Sequence, residues 1–256
     1  MKTIVFLTGC FVHHSCWDDW KAYFEKEGYQ CIVPPWPHKS EQPATLRARQ
    51  PDPAIGSIRL ADLKNYFSDI ISRLPEKPIL IGHSFGGLLV QLMLQRDIAA
   101  AGVAIHSVPP AGVLTLSPAF FRSTWGPLGF FTPVSKTFLM SFPQWQFSFT
   151  NGLPLKEQQL TYDQLVIPES KRVSRDALGK EGKVDFRKPH VPLLFVAGEK
   201  DQIMPASLNH TNFKKYGKSE GVLEYKLFSG KTHSVLGQSG WQENAAYIHG
   251  WLKENV

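Results

Sequence analysis

Ser84 is the residue most equipped for chemistry. It sits in Ile79-Leu80-Ile81-Gly82-His83-Ser84-Phe85-Gly86-Gly87, a short apolar run that meets Gly-x-Ser-x-Gly and then an amphipathic stretch. That pattern mounts a nucleophilic serine on a tight strand-to-helix elbow. An elbow tight enough to hold the serine in an unfavourable backbone conformation leaves no room for a β-carbon at Gly82 or Gly86. A serine hydroxyl is a poor nucleophile at neutral pH, so it needs a base, and the base needs an acid to hold its tautomer. Downstream, Gly198-Glu199-Lys200-Asp201-Gln202-Ile203-Met204-Pro205 offers carboxylates, and Gly230-Lys231-Thr232-His233-Ser234 offers an imidazole. Each follows an apolar run that reads as a strand.

The elements that must position these groups alternate. Thr3 to Leu7 reads as a buried strand, Trp17 to Lys26 as helix, and Cys31 to Val33 as strand. A proline-rich loop runs from Pro34 to about Gly56, and then Ile58 to Leu74 reads as helix. Ile79 to Ile81 and Gly102 to Ile105 are further strands, with Phe85 to Gln95 as the helix between them. Regularity stops there: from about Pro109 to Pro189 the chain is rich in proline and aromatics, and this stretch is read as an inserted lid. It resumes with Leu193 to Ala197 as strand, Ala206 to Tyr216 as helix, Leu223 to Phe228 as strand and Trp241 to Lys253 as helix. The expected fold is α/β, a mostly parallel sheet of about six strands with helices on both faces and ligands at the carboxyl ends of the strands. The segments are 1–108 and 191–256 for the core and 109–190 for the lid.

Composition excludes several functions. A hydrophobic fraction of 43% and a charged fraction of 20% describe a globular chain, and no apolar run approaches the roughly 18 residues that cross a bilayer. Lys2 followed by Ile4 to Cys10 resembles a lipoprotein signal only superficially, because the apolar stretch falls short of the usual 7 to about 15 residues. A cytoplasmic location is expected by default. Cys10, Cys16 and Cys31 have neither metal-ligand nor Cys-x-x-Cys spacing and are expected to be reduced thiols. The net charge of +6 is scattered over basic groups such as Lys171-Arg172 and Lys214-Lys215 with Lys218, most simply solvated faces. No nucleic-acid-binding pattern accompanies them, and neither a nucleic-acid nor a membrane partner is expected.

The chain order Ser84, Asp201, His233, together with the elbow, resembles the α/β-hydrolase family and differs from the orders of chymotrypsin and subtilisin. The resemblance spans nearly the whole chain. It implies Ser84 as nucleophile, His233 as base and Asp201 as acid, the acid lying three residues after Gly198; Glu199 is the alternative. Among other histidines, His190 precedes a strand, His210 and His249 fall in helices, and His83 flanks the elbow. The family also implies two backbone N–H donors for an oxyanion, which map to Phe85 and to Cys10, with Phe11 as a substitute for the latter because Thr8-Gly9 replaces the usual His-Gly pair. His13 and His14 are expected to face solvent. A thiol nucleophile at Cys10 lacks a recognisable base.

These residues imply a serine hydrolase that cleaves carboxylic esters or lactones of small to medium apolar substrates, with no cofactor and no metal. The aromatics of the lid should form a small core of their own and roof the site. Phe11, Trp36, Trp125 and Phe130 are the expected pocket residues. Rivals are a carbon-carbon bond hydrolase or acyltransferase with the same triad, and a ligand-binding receptor of this fold with little turnover.

Overall fold

The computed structural model describes residues 1–217 and 221–256. Lys218 of the basic group noted above lies outside the described residues. Six strands form one all-parallel sheet: β1 (Thr3–Leu7), β2 (Gln30–Ile32), β3 (Ile79–His83), β4 (Ala101–Ile105), β7 (Leu193–Gly198) and β8 (Leu223–Phe228), in the order β2-β1-β3-β4-β7-β8. Between β4 and β7 a small antiparallel pair, β5 (Thr137–Phe138) and β6 (Glu169–Ser170), belongs to the segment read as a lid. The helices are α1 (Asp18–Lys26), α2 (Pro43–Ala48), α3 (Pro53–Ser57), α4 (Leu60–Ser72), α5 (Phe85–Leu94), α6 (Pro118–Leu128), α7 (Phe142–Ser148), α8 (Leu155–Leu165), α9 (Lys171–Asp176), α10 (Ala206–Phe213) and α11 (Trp241–Asn255).

Alternate residues of the central strands feed two separate cores, because successive side chains leave a strand on opposite faces. Val5, Leu7, Leu80, Leu193 and Phe195 join one core; Ile4, Phe6, Ile79, Ile81, Leu194 and Val196 join the other. A strand covered on both faces must be apolar throughout, which is why these runs lack polar alternation. The stretch after Ser84 is not the amphipathic helix expected from the sequence: every residue of α5 is buried, as in a helix apolar on all sides, because it packs between the sheet and the elements that cover it. Each large side chain so covered contributes roughly 1.5–3 kcal/mol.

The proline-rich stretch after β2 is not the open loop expected from its composition. It holds α2 and α3, each with proline in its first turn, where a missing N–H costs nothing, and Asp52 caps α3 by accepting from the N–H groups of Ala54 and Ile55. In the inserted segment, Trp145 and Phe149 are fully buried and stack at 4.4 Å, whereas Phe121, Trp125, Phe130 and Phe131 remain exposed. Among the described residues no helix is long and apolar enough to cross a membrane.

The elbow depends on two glycines. A β-carbon on Gly82 would lie 2.1 Å from the Gly86 carbonyl oxygen, and one on Gly86 would lie 1.8 Å from that of Leu7. Neither obstacle is a mobile side-chain tip. Gly86→Ala should therefore lower Tm sharply or abolish soluble expression, whereas Gly237→Ala, which meets open space, should leave Tm within a degree or two of the unmodified protein (roughly the scale of a neutral surface change). Thermal melts of the two variants check this.

Candidate active site

The sheet delivers four chemically capable side chains to its carboxyl edge. Ser84 follows β3 directly and starts α5 with φ 59° and ψ −118°, a conformation that a non-glycine residue holds only when its surroundings impose it. They do so through the backbone: the Ser84 N–H donates to the Ile105 carbonyl at 2.9 Å, and the Ser84 carbonyl accepts from Val108 at 3.0 Å. Asp201 follows β7 and His233 follows β8.

Asp201 is fully engaged and buried. Its Oδ2 meets Nδ1 of His233 at 2.6 Å, and its Oδ1 accepts from the backbone N–H groups of Ile203 at 3.0 Å and Met204 at 2.7 Å. A second imidazole, unforeseen in the sequence, shares Oδ2: Nδ1 of His106 lies 2.8 Å away. Burial by itself would raise the Asp201 pKa, but the two imidazoles and the hydrogen bonds outweigh it and hold the carboxyl well below the usual range. Burial pushes His83 and His106 down, so both are neutral near pH 7. His106 immediately follows β4 with φ 47°, and its ring packs so closely on β7 that a β-carbon on Gly198 would lie 2.5 Å from it.

With Nδ1 bound to the carboxylate, Nε2 of His233 is buried and has no hydrogen-bond partner among the described residues. The His233 ring lies 4.6 Å from that of His83, the neighbour of Ser84, and 4.6 Å from Phe149, which meets it edge-on. Ser84 Oγ and His233 Nε2 are not hydrogen bonded in this conformation. Such bonds are often long without substrate and tighten when it binds. One ring nitrogen from each of His83, His106 and His233 lies within 4.8 Å of the other two, so the cluster has donors for a metal ion, although Nδ1 of two members is committed to Asp201.

Cys10 and Phe11 occupy the loop after β1, which abuts the elbow closely: a β-carbon on Gly9 would lie 2.8 Å from that of Ser84. The Phe11 N–H donates to the Glu169 carboxylate at 3.1 Å. The N–H groups of Cys10 and Phe85 make no hydrogen bond among the described residues. Burial, with the Glu169 charge beside it, pushes the Cys10 thiol well above its ordinary range, so it stays protonated and unreactive.

Cys10, Phe11, Ser84 and Phe85 line one cavity. Val108, Pro109, Ile203 and Met204 complete its floor, and Phe120, Thr124, Pro127 and Leu128 of α6 form its far wall. Three of the expected pocket residues lie elsewhere. Trp125 is 61% exposed and Phe130 53%; the helical period turns positions 120, 124, 127 and 128 to the cavity and leaves 125 outward, while Phe130 lies past the end of α6. Trp36 is buried behind the loop after β1, where its indole N–H donates to the Thr8 carbonyl at 3.1 Å and its ring meets Phe85. His13 is buried rather than solvent-facing, its Nδ1 2.8 Å from the Ser15 hydroxyl. Glu199 is exposed and binds Ser229 and the Gly230 N–H, away from the imidazoles. A second cavity borders His83, His233, Trp145 and Phe149.

A family model described as the alpha/beta hydrolase family matches residues 4–243. No curated protein matches the chain in sequence. Among solved structures, the chain is similar to a methylesterase, MES16, from Arabidopsis, with 16% identity over 99% of both chains and a TM-score of 0.70. It is similar to a monoacylglycerol lipase from Paleococcus ferrophilus, with 19% identity over 99% of this chain and 95% of that one and a TM-score of 0.72. An extracellular alpha/beta-hydrolase from a Paenibacillus species aligns with 18% identity over 97% of this chain and 98% of that one and a TM-score of 0.71.

Proposed function

The chain belongs to the alpha/beta hydrolase family, and from that premise we propose that it is a serine hydrolase acting on carboxylic esters or lactones with a small to medium apolar part. The observation that carries this reading is that a strained Ser84 shares one apolar cavity with Cys10 and Phe85, whose N–H groups are unengaged among the described residues. In this reading His233 Nε2 takes the proton from Ser84 Oγ as the oxygen attacks the acyl carbonyl. The Cys10 and Phe85 N–H groups hold the resulting oxyanion. His233 then gives its proton to the departing alcohol, and a water, deprotonated by the same nitrogen, releases the acid from Ser84. Asp201 keeps the His233 proton on Nδ1 and stabilises the imidazolium.

Residues 109–190 serve as a lid whose α6 face excludes water from the cavity. An apolar wall favours alkyl or aromatic groups over sugars or peptides. Phe120→Ala should raise KM for an apolar ester by roughly ten-fold, the scale of one large side chain's contact area, with Trp125→Ala unchanged. Steady-state kinetics on p-nitrophenyl hexanoate compare the two; equal effects would remove α6 from the pocket.

The competing reading is a ligand receptor of this fold, favoured by the unformed bond between Ser84 and His233. A panel of methyl, p-nitrophenyl and lactone substrates separates them. Sustained turnover on at least one member is expected; fewer than a handful of turnovers on every member, with tight binding of some ligand, would favour the receptor.

A further inference from the structure

The inserted segment does more than roof the cavity, because the chain leaving α8 grips the loop that carries Cys10. Residues 165–167 run antiparallel to 11–13: His13 N–H donates to the Leu165 carbonyl at 2.8 Å and Ile167 N–H donates to the Phe11 carbonyl at 2.9 Å, with Val12 opposite Val166. Two residues later the chain presents Glu169, wholly buried, whose carboxylate accepts the Phe11 N–H. A lone buried carboxylate would be prohibitively costly, and Lys39 neutralises it with Nζ 2.5 and 2.6 Å from the two oxygens. Lys39 is itself buried and lies over the Trp36 ring at 4.1 Å, and Trp36 holds the Thr8 carbonyl. The loop is thus held at Thr8 from one side and at Phe11 from the other, with Phe11 at φ 69°.

We propose that Glu169 is a positioning residue for the oxyanion site: by accepting the Phe11 N–H it fixes the orientation of the loop and leaves Cys10 as the donor presented with Phe85. A buried ion pair is a poor source of stability, since apolar residues of similar size usually serve as well or better. A carboxylate oxygen directed at one chosen amide is a means of specifying geometry. The inference rests on the serine-hydrolase reading, because an oxyanion site matters only if a tetrahedral intermediate forms on Ser84.

Removing Glu169 alone strands a buried ammonium, so the test uses paired changes. Lys39→Met with Glu169→Gln discards both charges and, with the amide oxygen in the place of Oε2, keeps the acceptor for the Phe11 N–H while its NH₂ replaces the Oε1 that accepts from the Ser170 N–H; Lys39→Met with Glu169→Leu discards both acceptors. Relative to the Gln pair, the Leu pair should lose roughly 10- to 100-fold in kcat at unchanged KM, somewhat less than removal of a donor itself. Its affinity for a trifluoromethyl ketone should fall by the same factor, because only the tetrahedral adduct needs the donor. A purely structural role would lower Tm without this split. Equal kcat and equal ketone affinity in the two pairs would overturn the proposal.

A measurement on the unmodified protein covers the case in which neither pair folds. On forming the ketone adduct, the amide NMR resonances of Cys10 and Phe85 should move while that of Phe11 stays; movement at Phe11 with Cys10 still would overturn it. Failure of the ketone to form any adduct on Ser84 would instead strike the serine-hydrolase reading itself, and the inference with it.

Discussion

Ser84→Ala should reduce hydrolysis of a short p-nitrophenyl ester by about 10⁴-fold or more, the scale on which a triad fails when its nucleophile is lost. The loss would be chemical rather than structural. Alanine keeps the β-carbon, and the bonds that impose φ 59° on this residue run through its backbone N–H and carbonyl, so the elbow and Tm should survive. A fluorophosphonate probe should label the unmodified protein once and the variant not at all. Labelling that persists in Ser84→Ala would move the nucleophile elsewhere, and Cys10, kept protonated by burial and by the Glu169 charge, is a poor place for it.

Asp201→Asn should cost about 10³- to 10⁴-fold in kcat, through the wrong histidine tautomer rather than through lost structure. The reason lies in how the four bonds to this carboxylate are shared. If the amide oxygen takes the place of Oδ1 it still accepts from Ile203 and Met204, but the NH₂ then faces the Nδ1–H groups of both His233 and His106. Two donors cannot face one donor, so each imidazole must shift its proton to Nε2, and His233 ceases to be a base. The flipped amide merely moves the conflict onto the backbone N–H groups. Glu199→Gln, at the exposed position, should leave the rate unchanged. A rate preserved in Asp201→Asn would take the acid role away from this residue. The sign of the pH effect follows from the depressed Asp201 pKa: the stability it contributes is complete above the ordinary carboxyl range and is lost only as pH falls through its folded value in strong acid.

The core was legible because its signals are local. Apolar, β-branched runs such as Thr3 to Leu7 and Leu193 to Ala197 have few alternatives to a strand covered on both faces, and all six strands fall where those runs lie. The elbow glycines and the placement of Ser84, Asp201 and His233 after strands were equally readable. His106 carries the same local signal, a histidine directly after a strand, but its partnership with Asp201 arises only from the strand order that sets β4 beside β7. Glu169 and Lys39 had no such signal: they are 130 residues apart, and only the folded insertion brings them together. Aromatic density told that the insertion has a core without telling which way each ring points. Helical period groups Phe120, Thr124, Pro127 and Leu128 on one face, yet the choice of face toward the cavity is made by tertiary packing.

The most direct test of the account is rapid-quench mass spectrometry of the unmodified protein during turnover of p-nitrophenyl butyrate. A butyryl adduct on the peptide containing Ser84, forming with the burst of nitrophenol and decaying at the steady-state rate, is the expected result. Turnover with no adduct on that peptide, or an adduct on another residue, would contradict it.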